Sequence, residues 1–309
     1  MTKQNLRIIF LGTPDFATAS LRALVEGGYN VVAVVTMPDK PAGRGHQLQF
    51  SDVKKYALSV GIPVLQPEKL KDESFLEQLR AYRADLQIVV AFRMLPEVVW
   101  AMPRLGTFNL HGSLLPQYRG AAPINWAIIN GETSTGVTTF MLKHDIDTGN
   151  IIMQESTHIE ENENVGSVYD RLMLIGQNVV TRTVDLIIES ENNNTPLPTT
   201  PQIETSELRP APKLFKDTCE IHFDLMTATQ VKNFVRGLSP YPAAWANITI
   251  AGQTFDNVKI YAVETIDTAI TNNNKEIIIP CKEGAVRIIE LQAPGKKRMD
   301  TKSFLNGLH

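Results

Sequence analysis

The first half of this 309-residue chain alternates short apolar runs with amphipathic stretches, and this alternation limits the folds that it can adopt. Strands are predicted at residues 6–11, 31–36, 64–65 and 86–91, and helices at residues 16–26, 52–59, 74–82 and 96–101. The longer predicted strands are apolar at consecutive positions, which is typical of strands buried on both faces. Strands that alternate with helices in this way predict an α/β fold with a doubly wound, mostly parallel sheet.

The pattern changes after about residue 189. The following residues are rich in Asn, Thr and Pro and poor in large apolar side chains, which is typical of an extended linker. Beyond it, short strands are predicted at 221–223, 246–250, 258–263, 276–279 and 286–291, with one helix at 229–237. Short strands separated by turn sequences predict a small β-barrel of the OB type. The predicted organisation is a first domain at 1–189, a linker at 190–207 and a β-barrel domain at 208–309.

The composition excludes several classes of protein. Hydrophobic residues make up 43% of the chain and charged residues 20%, as in ordinary globular domains. The two cysteines, Cys219 and Cys281, do not have the spacing of a disulfide scaffold or a zinc site. The N-terminus lacks a signal-peptide pattern, and no apolar run approaches the ~18 residues of a membrane span. We therefore expect a soluble, cytoplasmic protein with no metal and no membrane partner.

The net charge of −3 excludes a generally basic nucleic-acid coat protein, but the charge is unevenly distributed. Residues 208–309 contain 13 basic and 10 acidic side chains and so carry a net charge of +3, whereas the rest of the chain carries −6. The predicted β-barrel domain is therefore mildly basic, which an ordinary solvated surface also explains.

The densest run of reactive or conformationally restricted residues is FNLHGSLLPQYRGAAP at residues 108–123. Asn109 and His111 are two positions apart, so on an extended segment both side chains point to the same side. An amide and an imidazole on one face can polarise a carbonyl group and move a proton. The alternative is that His111 is a buried histidine with a purely structural role beside a turn. Polar residues at the end of a predicted strand, however, lie where open α/β sheets bind ligands.

A second group of polar residues is HDIDTG at residues 144–149. Asp145 and Asp147 share one side if the segment is extended, and an aspartate near a histidine can orient it or order a water molecule. Two such acids are also common turn formers. A metal site built from these aspartates with His111 and His144 is not supported by any metal-binding spacing.

The third feature is the loop PDKPAGRGH at residues 38–46, directly after the second predicted strand. Lys40 and Arg44 stand there among two glycines and two prolines, and arginine is well suited to contacting phosphate. Neither this loop nor residues 12–14 match the GxxxxGK[ST] or GxGxxG motifs of nucleotide-binding proteins. A solvated basic loop without a ligand is the alternative.

Four motifs, taken in this order, resemble those of the methionyl-tRNA formyltransferase family: GTPDFA, PDKPAGRG, NLHGSLLPQYRGAAP and DIDTG. The segment RGLSPYPAAW at residues 236–245 is similar to a signature of that family's C-terminal domain, so the resemblance spans nearly the whole chain. The Asn-x-His-x-Ser-Leu-Leu-Pro core with a downstream Asp is shared by 10-formyltetrahydrofolate-dependent formyltransferases in general. The resemblance implies a Rossmann-like formyltransferase domain followed by the small barrel.

Residue by residue, the resemblance implies three sets of functional residues. Catalytic roles fall on Asn109, His111 and Asp147. The folate-binding segment matches Ser113, Leu114, Leu115 and Pro116, and tRNA contacts fall on Lys40 and Arg44. Residues 91–96 are one residue shorter than the family pattern, so contacts to the pterin around residues 92–95 are not carried over.

The implied reaction transfers the formyl group of 10-formyltetrahydrofolate to the α-amino group of methionine on initiator tRNA, for translation initiation. The formyl donor is consumed as a co-substrate, and a monomer is expected. Three alternatives stay open: a formyltransferase acting on a small amine, a 10-formyltetrahydrofolate hydrolase, and a non-catalytic RNA-binding module.

Overall fold

The computed structural model describes residues 1–42, 47–250, 252–266 and 276–308. The chain forms two compact units. The first consists of Met1–Arg119, Gly136–Ser156 and Asp170–Arg209, and the second of Gly120–Thr135, Thr157–Tyr169 and Pro210–His309.

The secondary structure begins with alternating strands and helices. In chain order these are β1 (Ile8–Gly12), α1 (Asp15–Glu26), β2 (Val31–Val35), β3 (Lys40–Ala42), β4 (Gln47–Gln49), α2 (Asp52–Ser59), β5 (Val64–Leu65), α3 (Glu73–Ala81), β6 (Leu86–Val90), α4 (Glu97–Trp100), β7 (Thr107–His111), α5 (Pro123–Ile129), β8 (Ser134–Met141), β9 (Ile151–His158) and α6 (Val165–Asn193). Among the described residues, no helix is both long and apolar enough to cross a membrane.

The main sheet has seven strands in the order β5-β2-β1-β6-β7-β8-β9. The neighbours from β5 to β7 are all parallel, and β8 joins antiparallel to β7. Every residue of β1 and β6 is buried, and because successive side chains point to opposite faces, both faces of the sheet are covered. The direction of winding reverses between β1 and β6, so the predicted doubly wound, mostly parallel α/β fold is confirmed.

Helix α3 shows how one face is covered. Its apolar residues Phe75, Leu76 and Leu79 belong to one buried cluster with Ile9 and Leu11 of β1. The spacing of the three helical residues places them on one side of α3, which explains why an amphipathic stretch follows each apolar run.

The C-terminal part contains a short 3₁₀ turn and a further set of elements. These are α7 (Ala228–Leu238), β10 (Ala244–Ile250), β11 (Gln253–Ile266), β12 (Ile277–Pro280), β13 (Ala285–Gln292), β14 (Met299–Asp300) and α8 (Thr301–Asn306). The strands form an antiparallel sheet in the order β10-β11-β13-β12, with β14 paired to β13, and the sheet curls as a half-barrel. The predicted small β domain of the OB type is confirmed.

Two local predictions differ from the structure. The strand predicted at 221–223 is wrong: Ile221 is buried in the core and its N–H donates to Trp245 O at 2.8 Å, but no ladder follows. This short segment with a buried apolar residue resembles a strand in composition, but it does not form the hydrogen-bond ladder of a strand. Helix α6 ends at Asn193, so residues 190–193 of the predicted linker are helical.

Candidate active site

Strand β7 carries Asn109 and His111 to the carboxyl edge of the parallel sheet. Asn109 is paired with Val89 of β6 on one side and with Phe140 of β8 on the other. His111 is the last residue of the strand and is paired with Thr138. The carboxyl ends of parallel strands gather at one edge, so both side chains lie where this fold places ligands.

The imidazole ring of His111 is buried and held in one orientation. Its Nε2 lies 2.8 Å from the backbone oxygen of Tyr118, and because a carbonyl can only accept, Nε2 carries the hydrogen. Its Nδ1 lies 3.9 Å from Oδ2 of Asp147. The ring also packs edge to face on Phe140 with the ring centres 6.5 Å apart. The ring of His111 is therefore oriented with Nδ1 toward Asp147.

Asp147 is presented by a tight turn whose backbone is held from outside. Its φ is +55°, a left-handed conformation that Asp tolerates better than most residues. The side-chain amide of Gln202 donates to the carbonyl oxygens of both Asp147 and Gly149 at 2.8 Å. At Gly149 a Cβ atom would overlap the carbonyl group of Met141, so only glycine fits there. The carboxylate, 12% exposed, is thus fixed beside the histidine.

Unpaired polar atoms lie at this same edge. Oδ1 of Asn109, Oγ1 of Thr13 and Nε of Arg93 are buried, and none has a hydrogen-bond partner within the described ranges. Thr13 follows β1, Arg93 lies three residues after β6 and Asn109 lies within β7, and these three strands are neighbours in the sheet. Buried polar groups without partners are costly and uncommon. Six such atoms occur in the described residues; these three lie on or after neighbouring strands, and the others belong to Ser20, Ser239 and Arg287.

The four residues predicted to bind folate have two structural roles. Ser113 is fully buried; its Oγ donates to Gln117 O at 2.6 Å, and its own carbonyl accepts from Thr138 Oγ1. Leu115 is buried as well and its N–H donates to Thr138 Oγ1 at 3.1 Å. Leu114 and Pro116 keep partly exposed side chains. Ser113 and Leu115 therefore shape the turn, and Leu114 and Pro116 present the surface that a ligand can reach.

The shortened segment after β6 is tied to the loop after β5. The Arg93 guanidinium donates to the backbone oxygens of Pro67 and Glu68, and burial lowers the pKa of Arg93 from its usual value. Met94, in contrast, is 74% exposed, the largest apolar exposure on this segment. Arg93 thus anchors the segment while Met94 projects from it.

Two polar residues of the segment HDIDTG, His144 and Asp145, are exposed and lie outside the group formed by Asn109, His111 and Asp147. The side chain of His144 is 85% exposed and its Nδ1 lies 3.6 Å from Glu97 Oε2. Asp145 is exposed, and its backbone oxygen accepts from Thr148 Oγ1 at 3.0 Å, which makes it a turn former. Within the described ranges, no group of three or more His, Cys, Asp or Glu side chains has a geometry that could hold a metal ion.

The loop predicted to contact tRNA is described in part. Lys40 is exposed and begins β3, which pairs antiparallel with β4 to form a hairpin. Arg44 lies outside the described residues. The assignment of both side chains to tRNA stays a prediction.

Four residues that support the site were not identified from the sequence. They are Tyr118, Thr138, Gln154 and Gln202. Tyr118 acts through its carbonyl group, which every residue has. Gln202 lies in the predicted linker, where a polar residue is expected in any case. Tyr118 carries no signal because a backbone carbonyl does not depend on the residue type, and Gln202 carries none because Asp147, its partner, is 55 residues away.

Comparison with known proteins agrees with this geometry. Residues 6–184 match the formyl transferase family and residues 213–309 match the formyl transferase C-terminal domain. The chain therefore belongs to the formyl transferase family.

Within that family, the sequence is similar to curated methionyl-tRNA formyltransferases along nearly its whole length. The protein of that name from Bacteroides thetaiotaomicron is 55% identical, with 99% of this chain and 97% of the relative covered. The one from Parabacteroides distasonis is 58% identical with the same coverage.

Solved structures share the fold at low sequence identity. HypX from Aquifex aeolicus, in complex with tetrahydrofolic acid, has a TM-score of 0.62 and 18% identity, covering 97% of this chain and 46% of that one. An N-formyltransferase from Helicobacter canadensis, in complex with folinic acid and dTDP-3-aminofucose, has a TM-score of 0.66 and 20% identity, covering 95% and 100%.

Proposed function

We propose that this chain is a methionyl-tRNA formyltransferase, which transfers the formyl group of 10-formyltetrahydrofolate to the α-amino group of methionine on initiator tRNA. The observation that carries this proposal is the pairing of Asn109 and His111 at the end of β7 with the Asp147 carboxylate 3.9 Å from the histidine. Full-length similarity to relatives of that name supports the same reaction. The product, formylmethionyl-tRNA, serves translation initiation, which takes place in the cytoplasm.

The first step is attack of the methionine amine on the formyl carbon. A bond forms between that nitrogen and the carbon, and the carbonyl oxygen becomes an oxyanion. The side-chain amide of Asn109 and the protonated ring of His111 donate to this oxygen, His111 through Nδ1 because Nε2 is held by Tyr118. Loss of one such donor typically costs about 10²–10³ in rate.

Collapse of the intermediate then breaks the bond between the formyl carbon and N10 of the folate. The attacking amine must lose a proton and N10 must gain one. Asp147 stabilises the charged imidazole and, through a water molecule, passes the proton between the two nitrogens. The reaction proceeds by direct transfer and requires no covalent intermediate with the enzyme.

The two substrates are assigned to different parts of the chain. The folate lies against the turn at residues 113–116, where Leu114 and Pro116 offer surface. The tRNA contacts Lys40 and Arg44 and the basic residues of 208–309. In this scheme residues 1–189 form the catalytic domain, 190–207 the linker and 208–309 the tRNA-binding domain, and a monomer suffices.

The test is formyl transfer from 10-formyltetrahydrofolate with three acceptors in parallel: methionine-charged initiator tRNA, uncharged tRNA and none. Formylated product with the charged tRNA alone is expected. Consumption of the folate without an acceptor would identify a hydrolase. Transfer to a small amine but not to charged tRNA would contradict the proposed substrate and keep the formyl chemistry.

A further inference from the structure

The β3–β4 hairpin leaves the carboxyl edge of the sheet directly after β2, and the base of the hairpin is cross-linked by side chains. Thr36, which follows β2, places its Oγ1 2.9 Å from Oγ of Ser51. Ser51 in turn accepts from the N–H of Lys54 and so caps helix α2. Thr36, directly after β2, is therefore joined to Ser51, the N-cap of the helix that follows the hairpin.

Lys54 makes a second and stronger connection at the same place. Its ammonium group donates to Oδ2 of Asp39, at the start of the hairpin, and to Oε1 of Gln66 at 2.7 Å. It also lies 4.0 Å from the ring centre of Phe50, just after the hairpin ends. The amide of Gln66 donates at 2.8 Å to Oδ1 of Asp39 and to the backbone oxygen of Met37. One ammonium group thus holds both ends of the hairpin.

The side chains of this ion pair are largely excluded from solvent. The side chains of Lys54 and Asp39 are only 13% and 17% exposed, whereas that of the neighbouring Lys55 is 54% exposed. Lysine is rarely buried unless it is paired, because removing an ammonium group from water is costly. Hydrogen bonds from Lys54 and Gln66 hold the pKa of Asp39 below its usual value, so the carboxylate is charged at neutral pH.

We infer that Lys54 is a positioning residue for the tRNA substrate: it fixes the base of the β3–β4 hairpin and thereby the direction in which Lys40 is presented. The inference rests on the proposed function, in which this hairpin contacts tRNA. Lys54 acts through Asp39, Gln66 and Phe50, since its ammonium group is already committed to them.

The decisive comparison is Lys54→Met against Lys55→Met. Both substitutions remove one positive charge from α2 and keep an unbranched side chain, but the Lys55 side chain is exposed and forms an ion pair with Asp52 at the surface. Lys54→Met is expected to raise the KM for charged tRNA by about 10- to 100-fold, because misplacing a group by about 1 Å can cost up to about 100-fold. The kcat at saturating tRNA and the KM for 10-formyltetrahydrofolate are expected to stay within about twofold, because the reacting groups are not moved.

Asp39→Asn and Lys54→Arg test the pair itself. If the two charges act as one unit, the double variant Asp39→Asn with Lys54→Met has no higher KM for tRNA than Lys54→Met alone. Lys54→Arg, which keeps the charge, is expected to recover part of the affinity. Asp39→Asn keeps the side-chain volume and serves if Lys54→Met unfolds.

Amide hydrogen exchange gives a readout that does not depend on the acceptor. In Lys54→Met, exchange in β4 is expected to quicken relative to Lys55→Met, while β1 and β6 stay protected. Equal exchange and equal KM in the two variants would overturn the inference. A parallel loss of kcat and folate affinity would overturn it too, since it indicates disruption of the catalytic unit. Failure of the unsubstituted protein to formylate charged tRNA would instead contradict the proposed function.

Discussion

Three chemically different groups surround the ring of His111: a backbone oxygen, a carboxylate and an aromatic ring. The Tyr118 backbone oxygen fixes one nitrogen, the Asp147 carboxylate faces the other, and the Phe140 ring packs against the edge. Asp147 depends in turn on Gln202, which holds the backbone of its turn. The catalytic role proposed for the histidine therefore rests on groups that are contributed by four separate segments.

The residue-scale prediction compares two aspartates of one motif. Asp147→Asn is expected to lower kcat by about 100-fold or more, because a general acid–base group typically contributes 10²–10⁴. Asp145→Asn is expected to be close to the unsubstituted protein, since Asp145 is exposed and contributes its backbone oxygen to the turn. Steady-state kinetics with charged tRNA, and folate binding by fluorescence, measure both effects. An equal loss in Asp145→Asn would remove the distinction between them.

At the scale of single elements, helix α7 shows why some predictions succeed. Its apolar residues Val231, Phe234, Val235 and Leu238 repeat at helical spacing and all lie in the core of the second unit. The sequence predicts the helix at 229–237, and the structure has it at Ala228–Leu238. Thr227 and Gln230 form a capping box that defines its first turn. Periodicity and a cap are local signals, so no distant contact was needed to predict this helix.

Thr227→Ala is expected to destabilise the second unit by about 0.5–2 kcal/mol, the usual cost of removing an N-cap hydroxyl. The matched control is Thr229→Ala, two residues along the same helix at an exposed position. Alanine is the better helix former there, so no loss is expected. Thermal or urea unfolding measures the difference. Equal destabilisation by both substitutions would show that the cap does not limit stability.

The Asp39–Lys54 ion pair gives a prediction for pH at the same scale. The folded-state pKa of Asp39 is below its unfolded value, so its stabilising contribution is present above that unfolded value and is lost as the pH falls through the folded one. The difference in Tm between the unsubstituted protein and Asp39→Asn is therefore expected to be constant from pH 7 to about pH 5 and to shrink below about pH 4. A difference that shrinks already near pH 6 would contradict this.

At the scale of the whole molecule, charge is divided unevenly along the chain. Residues 208–309 carry a net charge of +3 within a chain whose total is −3. Residues 208–309 can therefore attract phosphate locally, although the net negative charge of the whole chain repels polyanions.

The KM for charged tRNA is expected to rise steeply with salt, whereas the KM for 10-formyltetrahydrofolate changes far less. Two phosphate contacts alone weaken binding by about tenfold between 50 and 200 mM salt, because bound counterions are released. Kinetics at several salt concentrations and constant pH measure the slope. A KM for tRNA that does not depend on salt would count against a phosphate-contacting surface.

What the sequence by itself determined is many, but not all, of the strands and helices, together with the polar residues of β7; β8, β9 and α6 were not predicted from it. Apolar runs and amphipathic stretches predict β5 and α2 at their observed bounds, and Asn109 and His111 share one side because a strand alternates. Local repeats of hydrophobic and polar residues suffice for this. The strand predicted at 221–223 fails because composition does not record whether a neighbouring strand is there to pair.

Only the tertiary structure decided which groups meet. Three contacts illustrate this: the Tyr118 carbonyl orients His111, the Gln202 amide holds the Asp147 turn, and the Lys54 ammonium group holds the base of the hairpin. Each of them joins residues that do not belong to the same helix or strand. Such contacts depend on where folding brings distant segments, and a polar side chain has the same local sequence signal whether it is solvated or bonded. The physical reason is that hydrophobic periodicity is read within one element, whereas hydrogen bonds of this kind join several.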